Sequence, residues 1–276
     1  MGRIFVLLIF LCIFADMKQA MIFAAGLGTR LRPLTDSIPK ALVSVGGRTL
    51  VDLLIDKLQV AGYERLVVNV HHHAVQLESH LRIFHPDVLI SDERQMLLDT
   101  GGGLRHAQDL FDSDSPILLH NVDILDNVDY EWFARQHQGD EDAVLLVSRR
   151  KTSRYLLFDS AMRLMGWKNV KTGEVKSPFP WLREADFTLD DSLRVIMLNG
   201  QRSMVNGQLH AFAFSGIHSF SPRLFRLMER FDEKFSIVDF YLSTCHRARI
   251  FGCVKDDLHL LDVGKPEALQ QAENFI

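Results

Sequence analysis

The residues best suited to chemistry lie in one stretch, Gly26-Leu-Gly-Thr-Arg-Leu-Arg-Pro-Leu-Thr35, followed closely by Pro39-Lys40. Glycines at 26 and 28 let the backbone turn sharply and bring main-chain N–H groups against a ligand, an arrangement that suits phosphate oxygens. Arg30, Arg32 and Lys40 set cations beside that cradle. It is not a P-loop, because no Gly-Lys-Ser/Thr follows at the required spacing. The dinucleotide fingerprint also fails, because Leu31 stands where its third glycine belongs. Two acids complete the candidate set. Asp123 follows the apolar run Ile117–His120, and Asp262 follows Leu258–Leu261. Carboxylates brought from distant strands to one loop surface can hold Mg²⁺, which takes one or two of them together with phosphate oxygens and water. The competing use of each aspartate is to form a turn or cap a helix; for Asp262, with Val-Gly-Lys-Pro-Glu and a helix behind it, capping is a serious rival to the metal role. The tract His71-His-His73 invites a metal reading, but successive side chains at a strand end point to alternate sides, so it reads as loop.

These residues need elements to position them. From Ala20 the chain alternates short apolar runs with amphipathic stretches: 21–25, 50–61, 65–70, 74–84, 88–90, 102–108, 117–120, 130–137 and 143–147. Buried strands alternating with helices predict an α/β fold, a doubly wound, mostly parallel sheet of Rossmann-like type. Such sheets bind ligands in the crevice beyond the carboxyl ends of their strands, where the glycine-rich and acidic loops fall. After Arg149 the texture changes to short β-like pieces at 155–158, 164–167, 193–198 and 210–214, which predict a small antiparallel accessory lobe. Helical stretches at 222–230 and 237–246, strands at 250–254 and 258–261, and a last helix from Pro266 close the chain. The expected organisation is one domain over 17–276, divided into a half that carries the phosphate loop (17–148) and a second half that begins with the accessory lobe (149–276).

The full opening string, Met21-Ile-Phe-Ala-Ala-Gly-Leu-Gly-Thr-Arg-Leu-Arg-Pro-Leu-Thr-Asp-Ser-Ile-Pro-Lys-Ala-Leu, closely resembles that of the sugar-1-phosphate nucleotidyltransferases. Leu97-Leu-Asp-Thr-Gly-Gly-Gly103, Asn121-Val-Asp-Ile-Leu125, Phe214-Ser-Gly-Ile217 and Leu261-Asp-Val-Gly-Lys-Pro-Glu267 extend the likeness in family order from Met17 onward. The resemblance implies a nucleoside triphosphate and a sugar 1-phosphate as substrates, with Mg²⁺ as cofactor. Ala25, Gly26, Gly28, Thr29 and Arg30 would wrap the triphosphate, Arg30 and Lys40 would act during transfer, and Asp123 and Asp262 would hold the metal. Gly101 and Gly102 would turn backbone N–H groups toward the base. Asn121 and Gly216 would meet the sugar, and Lys168, in Gly166-Trp-Lys-Asn169, would stand near the place of the family's Glu-Lys-Pro element. Val122 departs from the glycine usual before the metal aspartate and is expected to narrow the site. Among family members the length and the Leu-Asp-Thr-Gly-Gly-Gly element look most like N-acetylmuramate-1-phosphate uridylyltransferases, with mannose-1-phosphate guanylyltransferases next. A catalytically silent, nucleotide-sensing homologue is the alternative from another class.

The totals fit such an enzyme. A formal charge of −4 and a pI near 6.3 give no electrostatic footprint for nucleic acid, so phosphate must be met by a local basic site. Three cysteines without metal-ligand spacing argue against a disulfide framework or a zinc site. The apolar run Ile4–Phe14 is too short for the roughly 20 residues that cross a bilayer but matches a signal-peptide core. The phosphate loop begins almost at once behind it, and the enzyme needs a triphosphate pool. Residues 1–16 are therefore expected to be a leader upstream of a start at Met17 or a tail, the protein cytoplasmic, and membrane contact unlikely. Nothing in the sequence fixes an oligomeric state.

Overall fold

The computed structural model describes residues 17–137, 139–198 and 208–275. The leader expected over 1–16 lies outside these residues. Strand β1 (Lys18–Phe23) pairs in parallel with β2 (Tyr63–Val70) on one side and β4 (Ile117–Asn121) on the other, with Met21 facing both Val67 and Leu119. Its residues 20–22 are fully buried, as a central strand covered on both faces requires. Between β1 and β2 comes helix α1 (Leu50–Val60), started by Thr49, whose hydroxyl accepts from Asp52 N–H at 3.2 Å. Leu50, Val51, Leu54, Ile55 and Leu58 follow the helical period and bury one stripe against the sheet. Helix α2 (Ala74–Phe84) leads to β3 (Leu89–Asp92), which pairs in parallel with β2, and α3 (Asp99–His106) leads to β4. The central run β3-β2-β1-β4 is parallel throughout, so the loops after β1, β2, β3 and β4 all emerge at one edge.

The short β5 (Ile124–Asp126) leaves this sheet. Beyond it come β6 (Ala143–Ser148), β7 (Arg154–Phe158), β8 (Leu164–Asn169) and the long β9 (His210–Phe220). Strand β9 runs antiparallel beside β4 through residues 217–220 and beside β7 through residues 210–212, and so joins the accessory strands to the central sheet. A register shift between Phe214 and His218 along β6 marks the bend. Helix α4 (Ile237–Thr244) precedes β10 (Ile250–Val254), which pairs in parallel with β6. Strand β11 (Leu260–Asp262) pairs with β5, and α5 (Pro266–Glu273) ends the fold.

The expected α/β architecture with an antiparallel accessory lobe is thus present, and the lobe continues the main sheet through β9. One element is shorter than its pattern predicts. The helical stretch 222–230 resolves into a 3₁₀ turn, Pro222–Leu224, and one α-turn, Phe225–Met228, in which Leu224 and Met228 are fully buried and Phe225 and Leu227 pack partly against the same cluster. Hydrophobic clusters fill both faces of the sheet, one beneath α1 and α2 and one beneath α3 and α4, and a third lies under the accessory strands.

Candidate active site

The glycine-rich loop leaves β1 at Phe23, and its first turn is held by a neighbour that carries no motif. Asn69, near the end of β2, accepts from the N–H of Ala24 at 2.7 Å and of Ala25 at 3.2 Å through Oδ1, and donates through Nδ2 to Glu93 Oε1 at 2.7 Å. Glu93 Oε2 in turn accepts from Leu98 N–H at 3.2 Å. Two buried side chains therefore tie together the turn that follows β1, the end of β2 and the turn that follows β3. Burial pushes the Glu93 carboxyl above its ordinary range against the hydrogen bonds from Asn69 and Leu98 that hold it down. Gly26 opens onto free space, whereas Gly28 takes φ +63°, where a Cβ would stand 2.8 Å from Thr35 Cγ2. The following 3₁₀ turn, Thr29–Leu31, sinks Leu31 into the core and leaves Arg30 exposed. The residue that breaks the dinucleotide fingerprint is the one that anchors the loop.

The acidic half is assembled from two chain crossings. Val263 N–H donates to Asp123 O at 2.8 Å, and Asp262 pairs with Ile124 in the β5–β11 ladder, so the two carboxylates come from adjacent backbone. Behind them Asp126 is buried and takes Lys57 at 2.6 Å, Tyr130 Oη at 2.8 Å, Val128 N–H at 2.8 Å and His120 at 3.2 Å. Burial alone would raise its carboxyl, but these donors and the charges of His120 and Lys57 hold it far below the usual carboxylate range. Each aspartate of the site faces a cation: Lys40 pairs with Asp123, and Arg30 Nη1 lies 3.6 Å from Asp262 Oδ2. Gly264 makes the second contact feasible, because a Cβ there would fall 2.6 Å from Arg30 Nη2 and 2.5 Å from Asp262 Oδ1. Lys40, Asp123, Ala25, Gly26 and Asn121 line a cavity of about 330 Å³ at the carboxyl edge of the sheet. Arg30, Lys40, Asp123 and Asp262, scattered through the sequence, thus form one linked surface.

The nucleotidyl transferase family model matches residues 19–156. An N-acetylmuramate alpha-1-phosphate uridylyltransferase of Caulobacter vibrioides is 33% identical over 263 residues, covering 93% of this chain and 96% of its own length. This chain is a sugar-1-phosphate nucleotidyltransferase. A mannose-1-phosphate guanyltransferase of Neurospora crassa is 31% identical over 144 residues, 50% of this chain and 39% of its own length. The structure of HddC from Yersinia pseudotuberculosis complexed with GMP-PN shares the fold at TM-score 0.60 and 21% identity, covering 94% of this chain and 99% of that one.

In this nucleotidyltransferase several expected residues stand elsewhere than the sequence suggested. The N–H groups of Gly101 and Gly102 do not face the cavity. Both donate to Phe235 O, at 2.9 and 3.2 Å, and a Cβ on either residue would collide with the 233–235 segment, so these glycines serve close packing. The cavity wall is formed instead by Leu97, Asp99 and Thr100, with Asp99 at φ +61°, in the left-handed region that Asp enters more readily than most L-residues. Lys168 is also displaced. Alternation along β8 sends it to the face opposite Trp167 and Asn169, where its Nζ donates to Phe187 O at 2.5 Å and sits 3.8 Å from the Phe187 ring centre. Val122 turns largely into the core, 3% exposed, while its N–H donates to Phe23 O at 3.1 Å, so it adds to the wall without blocking Asp123. Asn121 and Gly216 do meet: at φ +84°, Gly216 is placed where a Cβ would stand 2.9 Å from Asn121 Nδ2. Helix α5 has Lys265 at its N-cap with no side-chain cap, which frees Asp262 from the capping role. Sequence reasoning missed Asn69, Glu93 and Lys234. None belongs to a glycine or charge motif, and only their convergence on the cavity reveals them.

Nucleotidyltransferases of this family generally use a divalent metal ion. Asp123 and Asp262 offer hard oxygen donors on adjacent backbone, each already facing a cation, and this donor set fits such an ion. The histidine tract plays no such part: His71 Nδ1 contacts Glu93 O at 2.7 Å, His72 Nε2 contacts Thr35 O at 3.3 Å, and His73 begins α2. Among the described residues the one histidine-containing group with metal-ligating reach is Asp52, His80 and His85. There both rings meet Asp52 Oδ1, at 2.7 and 2.8 Å, and clasp α1 to the end of α2.

Proposed function

We propose that this enzyme transfers the uridylyl group of UTP to N-acetylmuramate 1-phosphate with Mg²⁺, in the cytoplasm where triphosphates are made. The observation that carries this choice is the near full-length likeness to the Caulobacter enzyme, against a likeness over half the chain to the guanylyltransferases. In the proposed reaction an oxygen of the sugar phosphate attacks the α-phosphorus of UTP in line. A new P–O bond forms, the bond from the α-phosphorus to the bridging oxygen breaks, and pyrophosphate leaves with that electron pair. No general base is needed, because a phosphate monoester with its second pKa near 6 is already largely a dianion at neutral pH.

The roles of the side chains follow from charge. Backbone N–H groups of Gly26 to Thr29 cradle the triphosphate, and Asn69 holds the loop in shape through the N–H groups of Ala24 and Ala25 just before them. Arg30 and Lys40 neutralise charge that builds on the α-phosphate and the leaving group, the main task in this class of transfer. Asp123 and Asp262 would hold Mg²⁺, which when bound supplies further neutralisation of the phosphate oxygens. Asn121 and Gly216 flank the acceptor side, and Asp99 and Thr100 the base side. A panel of four triphosphates against N-acetylmuramate, N-acetylglucosamine, mannose and glucose 1-phosphates, scored by pyrophosphate release, tests the reading. UTP with N-acetylmuramate 1-phosphate should give the highest kcat/KM; GTP with mannose 1-phosphate in that place would transfer the assignment to the guanylyltransferases.

A further inference from the structure

A second cavity of about 540 Å³ opens on the accessory side, and it shares no lining residue with the first. The two are nevertheless neighbours. Lys234 lines one and Ser236 the other, and two residues span at most about 7 Å. On β9, Phe214 lines the second cavity, and Gly216 stands against Asn121 of the first. The second cavity therefore lies where an acceptor sugar would extend once its phosphate is seated beside Asp123.

The lining is unusual for a sugar with no charge beyond that phosphate. Arg150, Arg154 and Lys176 face Glu174 and Asp239 there, with Trp167 among them. Lys176 is committed to Asp239 at 3.0 Å and lies 5.5 Å from the Trp167 ring centre. Arg150 spends Nη2 on Phe214 O at 2.8 Å, which fixes its guanidinium and leaves its other N–H groups available. The Arg154 guanidinium has neither a hydrogen bond nor an ion pair among the described residues. An arginine without a partner, beside a second one pinned in place, is a fork matched to a carboxylate. The phosphate does not account for them, since its charge would be met by Arg30, Lys40 and the divalent ion that Asp123 and Asp262 would hold.

We infer that the acceptor is a sugar 1-phosphate bearing a carboxylate, which Arg154 and Arg150 bind in this second cavity while Trp167 supplies a flat apolar wall for the ring. This rests on the reading of the chain as a transferase to sugar 1-phosphates in the sheet-edge crevice, and it adds to the proposed acceptor the pair of residues that reads its carboxylate. N-acetylmuramate 1-phosphate is one member of the class; N-acetylglucosamine 1-phosphate is the same ring without the carboxylate.

The test compares kcat/KM for these two acceptors at saturating UTP, in the wild type and in R154A, R150A and R154K. The wild type should favour the acidic sugar by about 10²-fold or more, the scale expected when a charged group has a dedicated partner. R154A and R150A should each cut that ratio by at least about tenfold, chiefly through KM for the acidic sugar, and R154K should retain an intermediate ratio. The neutral acceptor reports in the same protein sample whether the variant is folded. A wild type that does not discriminate, or variants in which both acceptors fall by the same factor, would overturn the inference. Absence of turnover with every sugar 1-phosphate would instead remove the transferase reading beneath it.

Discussion

Asn69 is the most informative single residue to change, because it carries three hydrogen bonds and no charge. N69A would leave the N–H groups of Ala24 and Ala25 and the Oε1 of Glu93 without their partner. An unsatisfied buried polar group costs about 1–3 kcal/mol, but Asn69 borders the cavity, so water can replace part of the loss. The net destabilisation should be about 2–4 kcal/mol, which leaves a folded protein of ordinary stability. The loop should then hold the triphosphate poorly, raising its KM by about tenfold or more. N69D separates the two halves of this reasoning. It keeps an acceptor for the two N–H groups but sets a carboxylate against Glu93, so one of the pair must take up a proton. Nucleotide affinity of N69D should therefore recover as the pH falls. The double variant N69D/E93Q should recover it at neutral pH, because the new amide donates where Asn69 did. Urea unfolding and nucleotide titration across pH are the assays. An N69A protein with unchanged stability and KM, or a double variant no better than N69D, would refute the idea that this network sets the loop.

Other consequences follow from single contacts. G264A should lower kcat by about tenfold or more, the usual scale for misaligning one charge, while barely moving Tm, since the added Cβ meets the flexible ends of Asp262 and Arg30. An unchanged kcat would separate the Arg30–Asp262 pair from the reaction. G216A places a Cβ against Asn121 at a positive φ and should cost about 1–2 kcal/mol, raising KM for the sugar 1-phosphate more than for the triphosphate. Equal changes in both constants would count against its place on the acceptor side. Burial, with His120 nearby, pushes the His218 imidazole down to about 3. The folded state therefore refuses a proton that the unfolded chain accepts below about pH 6.5, and stability is present above that pH and is lost as the pH falls toward 3. At pH 5 this amounts to about 2 kcal/mol relative to pH 7.5. H218L should remove that part of the pH dependence in urea titrations, and an unaltered slope would show that the acid sensitivity arises elsewhere.

The parallel core was legible because its strands are continuous apolar runs and its helices carry an apolar stripe, as in β1 and α1. The phosphate loop was legible because glycine, arginine and proline at fixed offsets say what the backbone must do. Asp262 could be suspected but not freed from a capping role until α5 was seen to start at Lys265 without it. The glycines at 101 and 102 misled for a physical reason: close packing against the 233–235 segment needs the missing Cβ as much as a ligand does. Lys168 misled because one residue of register along a strand decides its face. Asn69 and Glu93 were silent in the sequence, because a buried amide and a buried acid acquire their role only from neighbours 24 to 45 residues away. The cations of the second cavity, drawn from 150–154 and 176, were equally invisible before β7, β8 and β9 brought them together.

The central claim is that Asp123 and Asp262, with Arg30 and Lys40 against them, form one centre for metal-assisted nucleotidyl transfer. Pyrophosphate release as a function of Mg²⁺ concentration, in the wild type, D123N and D262N, tests it most directly when triphosphate binding is measured alongside. The account predicts release only with the divalent ion present and a loss of at least about 10²-fold in kcat for each variant, with triphosphate binding kept within about tenfold. Full turnover in the presence of a chelator, or wild-type rates from either variant, would contradict it.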